Sequence, residues 1–139
     1  MSVRTSTDAD ADGILELLEE FNSKTPMPSL RPEVRVFLQA MMQDENSVVL
    51  VSDTGSINGV LIGTVVHNPI YDTIWLQEMV WYARDNSGVR LLSAFEQAGK
   101  RLGVSMVYMT ALATTDERID CLLNRRGYLQ FERSYVKNL

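Results

Sequence analysis

Cysteine is almost missing from this 139-residue chain: Cys121 stands alone, so no internal disulfide can form. Histidine is equally scarce, and a lone His67 cannot build a multi-histidine metal site. No metal is therefore expected. The opening MSVRTSTDAD has no apolar leader region, and no unbroken apolar run approaches the roughly 20 residues that cross a bilayer. These absences point to a reducing cytoplasm, away from secretion and from the membrane. Positive charge is short too. A formal charge of −5 and a pI near 4.8 oppose nonspecific attraction to DNA or RNA, so no nucleic-acid partner is expected. Nine of the 13 basic residues lie from Arg84 onward, which assigns any anionic ligand to the second half of the chain.

What is present suits one soluble domain spanning 1–139. Hydrophobic residues make up 45% of the chain, enough for a core without a covalent staple. Ile14, Leu15, Leu17, Leu18 and Phe21 recur at helical spacing behind Thr7 or Asp8 as N-cap. After a connection bearing two prolines, Pro32 opens a second helix with the stripe Val34, Phe37, Leu38 and Met41. Two β-branched runs, Ser47 to Ser52 and Val60 to Val66, flank turn residues and predict a hairpin. Thr73 to Tyr82 predicts a third and longer strand.

Beyond the polar turn from Ala83 to Gly88, Val89, Leu92, Phe95, Glu96, Gly99 and Leu102 fall on or beside one helical face. Gly103 stands where a glycine ends a helix. A strand over Val104 to Leu112 follows. Thr114 or Thr115 then caps a last helix that stops at Gly127, and a final strand runs from Leu129 to Val136. The expected architecture is a mixed α/β sheet with two N-terminal helices, a hairpin, a long central strand, and then helix, strand, helix, strand.

The turn after Tyr82 is the first candidate site. A helix N-terminus presents unpaired N–H groups and partial positive charge, which suit phosphate oxygens. Ser87, Gly88, Val89 and Arg90 would offer those donors, Gly88 would admit an unusual backbone angle and close approach, and Arg84 and Arg90 would add charge. The plainer alternative is that Asn86-Ser87-Gly88 only turns the chain and caps a helix.

A second pattern, Asp8-Ala9-Asp10-Ala11-Asp12-Gly13 with Glu19, fits the calcium-loop formula. The helical phase starts inside that formula, at Ile14, so the aspartates are taken as capping and dipole charges. Cys121, on an otherwise apolar helix, is expected as a small core residue. Trp75, Trp81 and the methionines are expected in the core or lining a cleft.

Three stretches carry a resemblance: Glu78-Met79-Val80-Trp81-Tyr82, Arg84-Asp85-Asn86-Ser87-Gly88-Val89-Arg90-Leu91-Leu92, and Leu122-Leu123-Asn124-Arg125-Arg126-Gly127-Tyr128. In order and spacing they resemble the GNAT N-acetyltransferases over nearly the whole chain. That family has a pyrophosphate loop of the form Q/R-x-x-G-x-G/A opening a helix, and a last helix ending in Gly-Phe or Gly-Tyr. The best register puts Arg84 on the loop's first position, with Ser87 and Val89 replacing the two glycines. The loop is degenerate.

The resemblance implies acetyl-CoA as acyl donor, with its pyrophosphate held by Arg84, Asn86, Ser87, Gly88, Val89 and Arg90. The pantetheine arm would lie along Met79, Val80 and Trp81. It also implies transfer to a primary amine of a small molecule or protein by direct attack in a ternary complex. Glu78 is the candidate base, against the alternative of a solvated or ion-paired strand residue. The tyrosine that protonates the thiolate in many family members falls at Leu123, which cannot donate, and Cys121 or Tyr108 could substitute. A catalytically weak or inactive domain that binds acyl-CoA or another protein is the second reading. A homodimer is compatible with all of this.

Overall fold

Ser2–Thr5 forms a short strand, β1, in the computed structural model, which describes residues 2–139. Its four residues, three of them polar, carry no apolar alternation, and only the hydrogen bonds that β2 supplies define it. A 3₁₀ turn at Asp8–Asp10 leads into α1, Ala11–Asn22. The Asp10 carboxylate accepts the Thr7 N–H at 2.8 Å, satisfying a donor that the helix start leaves open. Arg4 donates to that same carboxylate at 2.7 Å and to Asp53 at 2.9 Å, tying β1, the turn and the hairpin together and holding Asp10 below the usual carboxylate range. Because α1 begins at Ala11 and Asp12 pairs with Arg35, the calcium formula is interrupted by helix.

The remaining elements are α2 (Val34–Gln43), β2 (Ser47–Asp53), β3 (Ile57–Asn68), β4 (Thr73–Ala83), α3 (Gly88–Leu102), β5 (Met106–Tyr108) and α4 (Glu117–Arg125). The strands form one sheet in the order β1-β2-β3-β4-β5, antiparallel up to β4 and parallel between β4 and β5. The parallel pair follows from the helical crossover through α3. Each face carries a core. Ile14, Leu17 and Leu18 of α1 and Leu38 of α2 pack against Val49, Val51, Val60 and Ile62. On the other face, Leu91 and Phe95 of α3 pack against Leu50, Leu61 and Leu76.

Four expectations are corrected. The face that α3 buries is Leu91, Leu92, Phe95, Ala98 and Gly99, so Val89 and Leu102 at its two ends are exposed. Cys121 is exposed, because α4 buries none of its residues. The strand expected over Leu129 to Val136 is absent, and the one expected over Val104 to Leu112 shrinks to Met106–Tyr108. The second difference explains the first. A three-residue edge offers little ladder for another strand to join.

One bulge sets the geometry of the centre. Ile62 pairs with Val80 and Gly63 with Glu78, leaving Met79 as the extra residue on β4. The bulge reverses the side-chain phase. Before it, Leu76 belongs to the α3-side core; after it, Val80 and Tyr82 pack on the α1 side and Trp81 on the α3 side. Gly63, opposite the bulge, leaves room for the Phe95 ring to come close against the sheet. A Cβ there would meet that ring and would sit 2.8 Å from the Gln77 carbonyl oxygen. Gly63→Ala should therefore cost about 1–3 kcal/mol through overpacking, read as a lower urea midpoint with an unchanged m-value.

Candidate functional site

The ladder between β4 and β5 covers only Trp75 to Gln77 opposite Met106 to Tyr108. β4 runs on to Ala83, so from Glu78 onward its β5-facing edge has no strand partner. At the point of parting, the Glu78 carboxylate takes the role a carbonyl would have played. Its Oε2 accepts the backbone N–H of Thr110 at 3.2 Å and also the Thr110 hydroxyl. Glu78 is 4% exposed. Burial disfavours the charged form and pushes its pKa up to about 7, although both Thr110 bonds pull the other way. A carboxyl titrating near neutrality, at the apex of an opening, is suited to accept a proton. Thr110 is the residue that sequence reasoning missed, since only the strand register brings it to Glu78.

The helix N-terminus stands at the other end of the opening. Trp81 donates its indole N–H to the Gly88 carbonyl at 3.0 Å, fastening the first turn of α3 to β4. The indole is thus a buttress for the turn. The Asp85 carboxylate accepts the Ser87 N–H at 2.9 Å, so that donor is already used, and the Ser87 side chain is fully buried against Gly59. Gly88 has no positive φ, and a Cβ on it would meet the Trp81 ring at an ordinary 3.6 Å. The unusual backbone angle expected there is not used. What remains open is the first turn itself: the N–H groups of Gly88, Val89 and Arg90 have no backbone partner, as at any helix start, and Val89 and Arg90 are exposed.

Arg84 lies where the loop begins but points its charge elsewhere. Its Nε donates to Glu20 at 3.0 Å and its Nη2 to Glu16 at 2.9 Å, and Tyr82 donates to Glu20 at 3.0 Å. This cluster fastens α1 to the end of β4. Asn86 and Met79 are exposed, while Val80 and Trp81 are half-buried.

The groups that could stand in for the missing tyrosine are dispersed. Tyr108 stacks on Trp75 with centroids 5.9 Å apart and takes the edge of Phe131 at 5.5 Å. Tyr128 donates to Glu96 at 2.9 Å, and burial together with that carboxylate holds its proton tightly. His67, at the far end of β3, lies 3.1 Å from Asp72 on the exposed turn.

No protein-family model matches the sequence, and no curated protein sequence matches it. Solved structures do. A transcriptional regulator from Bacillus halodurans C-125 superposes with a TM-score of 0.80 at 14% identity, covering 99% of each chain. A ribosomal-protein-alanine N-acetyltransferase from Brucella melitensis biovar Abortus 2308 gives 0.71 at 16% identity over 100% of both chains. An aminoglycoside acetyltransferase, meta-AAC0020, from an uncultured soil metagenomic sample gives 0.71 at 16% identity, over 99% of this chain and 96% of that one. What these proteins share with this chain is the fold.

Burial of Glu78 makes stability depend on pH with a definite sign. Its pKa in the folded state is about 7, above the ordinary carboxylate value of 4.5, so the folded protein holds a proton that the unfolded chain gives up. Stability is then greatest below the unfolded value and falls as pH rises through the interval between the two. The loss attributable to this group approaches about 3 kcal/mol above neutrality. Glu78→Gln removes the titration. Urea unfolding at pH 4 and pH 8 should show the variant gaining on the parent at the higher pH, and an equal difference at both would contradict the assignment.

Proposed function

We propose that this chain, which has the GNAT N-acetyltransferase fold, transfers an acetyl group from acetyl-CoA to a primary amine of a small molecule or protein by direct attack in a ternary complex. The observation that carries this reading is the parting of β4 from β5 at a buried carboxyl, with the first turn of α3 at the open end. Pyrophosphate oxygens would bond to the free N–H groups of Gly88, Val89 and Arg90, with Arg90 adding a charge-assisted contact. Asn86 and Ser87 shape that turn, and Arg84 anchors its approach through α1. The pantetheine arm would follow the unpaired edge at Met79, Val80 and Trp81. No metal enters the scheme.

The chemistry falls to Glu78. An alkylammonium has no lone pair, and with a reference pKa near 10.4 only about one lysine-like amine in a thousand is neutral near pH 7.4. Glu78 accepts the proton, the amine nitrogen attacks the thioester carbonyl carbon, and the carbon–sulfur bond breaks to release CoA as thiolate. A carboxyl protonated near pH 7 is a stronger acid than a thiol of about 8.5, so the same proton can pass on to the sulfur, directly or through water. Leu123 at the tyrosine position is compatible with that route.

The acidic surface favours a cationic acceptor. Two of the structurally similar proteins are named for amine-bearing acceptors, a ribosomal-protein alanine and aminoglycosides. A reducing cytoplasm fits the single exposed thiol. Leu123 also supports the second reading, a domain that holds acyl-CoA or a protein without turnover.

Calorimetry and free-thiol release on an amine panel separate the readings. Acetyl-CoA should bind saturably, Arg90→Ala should weaken that binding several-fold, and kcat/KM should rise with pH through an apparent pKa near 7. Glu78→Gln should lower kcat by about 10² or more while leaving acetyl-CoA affinity in place. Binding without thiol release from any amine would favour the second reading, and no binding at millimolar acetyl-CoA would end both.

A further inference from the structure

Two consecutive residues of β3 hold the two ends of the turn between β4 and α3. The Asn58 carbonyl accepts the Arg84 N–H at 2.8 Å, where the turn begins. Gly59, the next residue, lies against Ser87, where the turn ends and α3 starts. Gly59 is buried and pairs with Ser52 of β2 on one side and Ala83 of β4 on the other. It has no positive φ, so no backbone angle calls for glycine there. Glycine within a strand weakens it and packs nothing, which leaves close approach as the reason for it. A Cβ at position 59 would stand 2.7 Å from the Ser87 Oγ, 2.9 Å from Leu91 Cδ1 and 3.2 Å from Ser52 Cβ. Leu91 can swing a methyl aside. Ser87 has little such freedom, because its side chain is fully buried and its carbonyl accepts the Leu91 N–H at 2.9 Å at the start of α3.

We propose that Gly59 is a positioning residue for the turn that would hold pyrophosphate. With no side chain at 59, Ser87 seats directly on β3, and that seating sets where the N–H groups of Gly88, Val89 and Arg90 stand relative to the β4 edge. The proposal rests on the acyl-transfer reading of the turn and adds a residue outside it, since Gly59 touches no ligand and acts through Ser87. Three strand contacts then fix the turn. Asn58 holds its first amide, Gly59 receives its last residue, and the Trp81 indole bonds the Gly88 carbonyl at 3.0 Å. A side chain at 59 would push Ser87 away from β3 while Asn58 and Trp81 hold the turn on either side, so the first turn of α3 would tilt. Hydrogen bonds weaken steeply once the donor is misaimed, so the tilt falls on anion binding.

Calorimetry with acetyl-CoA and steady-state thiol release, both on the full chain, test this. Gly59→Ala should raise Kd and KM for acetyl-CoA by about tenfold or more, while kcat at saturating acetyl-CoA stays within about threefold of the parent. Gly59→Ala combined with Ser87→Ala, which removes the atom a Cβ would strike first, should bind at least about fivefold more tightly than Gly59→Ala alone. Leu38→Ala opens a cavity in the core beneath α2 and should lower the urea midpoint without raising Kd, which separates displacement of the turn from general loss of stability. Should Gly59→Ala not fold, Ser87→Thr adds bulk to the same buried contact from the turn side and should raise Kd in the same way. A parent that binds no acetyl-CoA at millimolar concentration ends the acyl-transfer reading and this proposal with it. A parent that binds overturns this proposal alone in three cases: Gly59→Ala, or Ser87→Thr in its place, binds equally well; the double variant recovers nothing; or kcat falls while KM holds.

Discussion

The extra residue at Met79 is the constraint from which the centre of the molecule follows. A regular β4 would keep Glu78 and Val80 on one face, and with the α3-side core occupied by Leu76 and Phe95 one of them would be misplaced. The bulge lets the strand serve the α3 core before it and both cores after it. It also bends β4 away from its parallel neighbour, since bulged strands turn and twist more strongly than regular ones. The ladder with β5 accordingly stops at Gln77 opposite Tyr108. A sheet that parts in its interior leaves backbone groups without partners. Glu78 answers one of these, the Thr110 N–H, at the cost of placing a carboxyl where water scarcely reaches.

How the loop is held follows the same economy. The groups that could bind phosphate are main-chain N–H groups of the first α3 turn, and their direction is fixed by the Trp81 bond to the Gly88 carbonyl. Side chains around them are largely committed: Ser87 to the interior, Asp85 to the Ser87 N–H, Arg84 to Glu16 and Glu20. Glycines at the positions of Ser87 and Val89 would have contributed little that the backbone does not already supply, since the turn uses no left-handed residue there.

Elements with strong local signals were readable from sequence. The α1 stripe from Ile14 to Leu18, the hairpin β2–β3, the long β4 and the Gly103 and Gly127 helix stops all lie where periodicity and turn chemistry placed them, both glycines having positive φ. What escaped was set by pairing across the chain. β1 has no apolar alternation and exists through its register with β2. The commitment of Arg84 to α1 depends on residues more than 60 positions away, as its bonds to Glu16 and Glu20 show. The tail from Leu129 to Val136 shows the reverse failure, because its strand-like composition is real but no partner edge of useful length lies within the chain. Glu78 itself could be named from the strand pattern, whereas its burial and its bond to Thr110 could not.

That burial decides what the carboxyl can do. A solvated glutamate near 4.5 would be ionised at neutral pH but too weak a base to compete for an ammonium proton, and once protonated it would lose the proton to water at once. Moved to about 7, it is a stronger base than a solvated glutamate and still a stronger acid than a thiol of about 8.5, so in the proposed acyl transfer it would take a proton from the amine and pass it to sulfur. The two Thr110 bonds limit the shift, keeping the ionised form accessible at physiological pH, whereas burial alone would drive the pKa higher. The same residue thus costs stability above neutrality, and under the proposed acyl transfer that cost would be offset by proton-transfer competence in the same pH range.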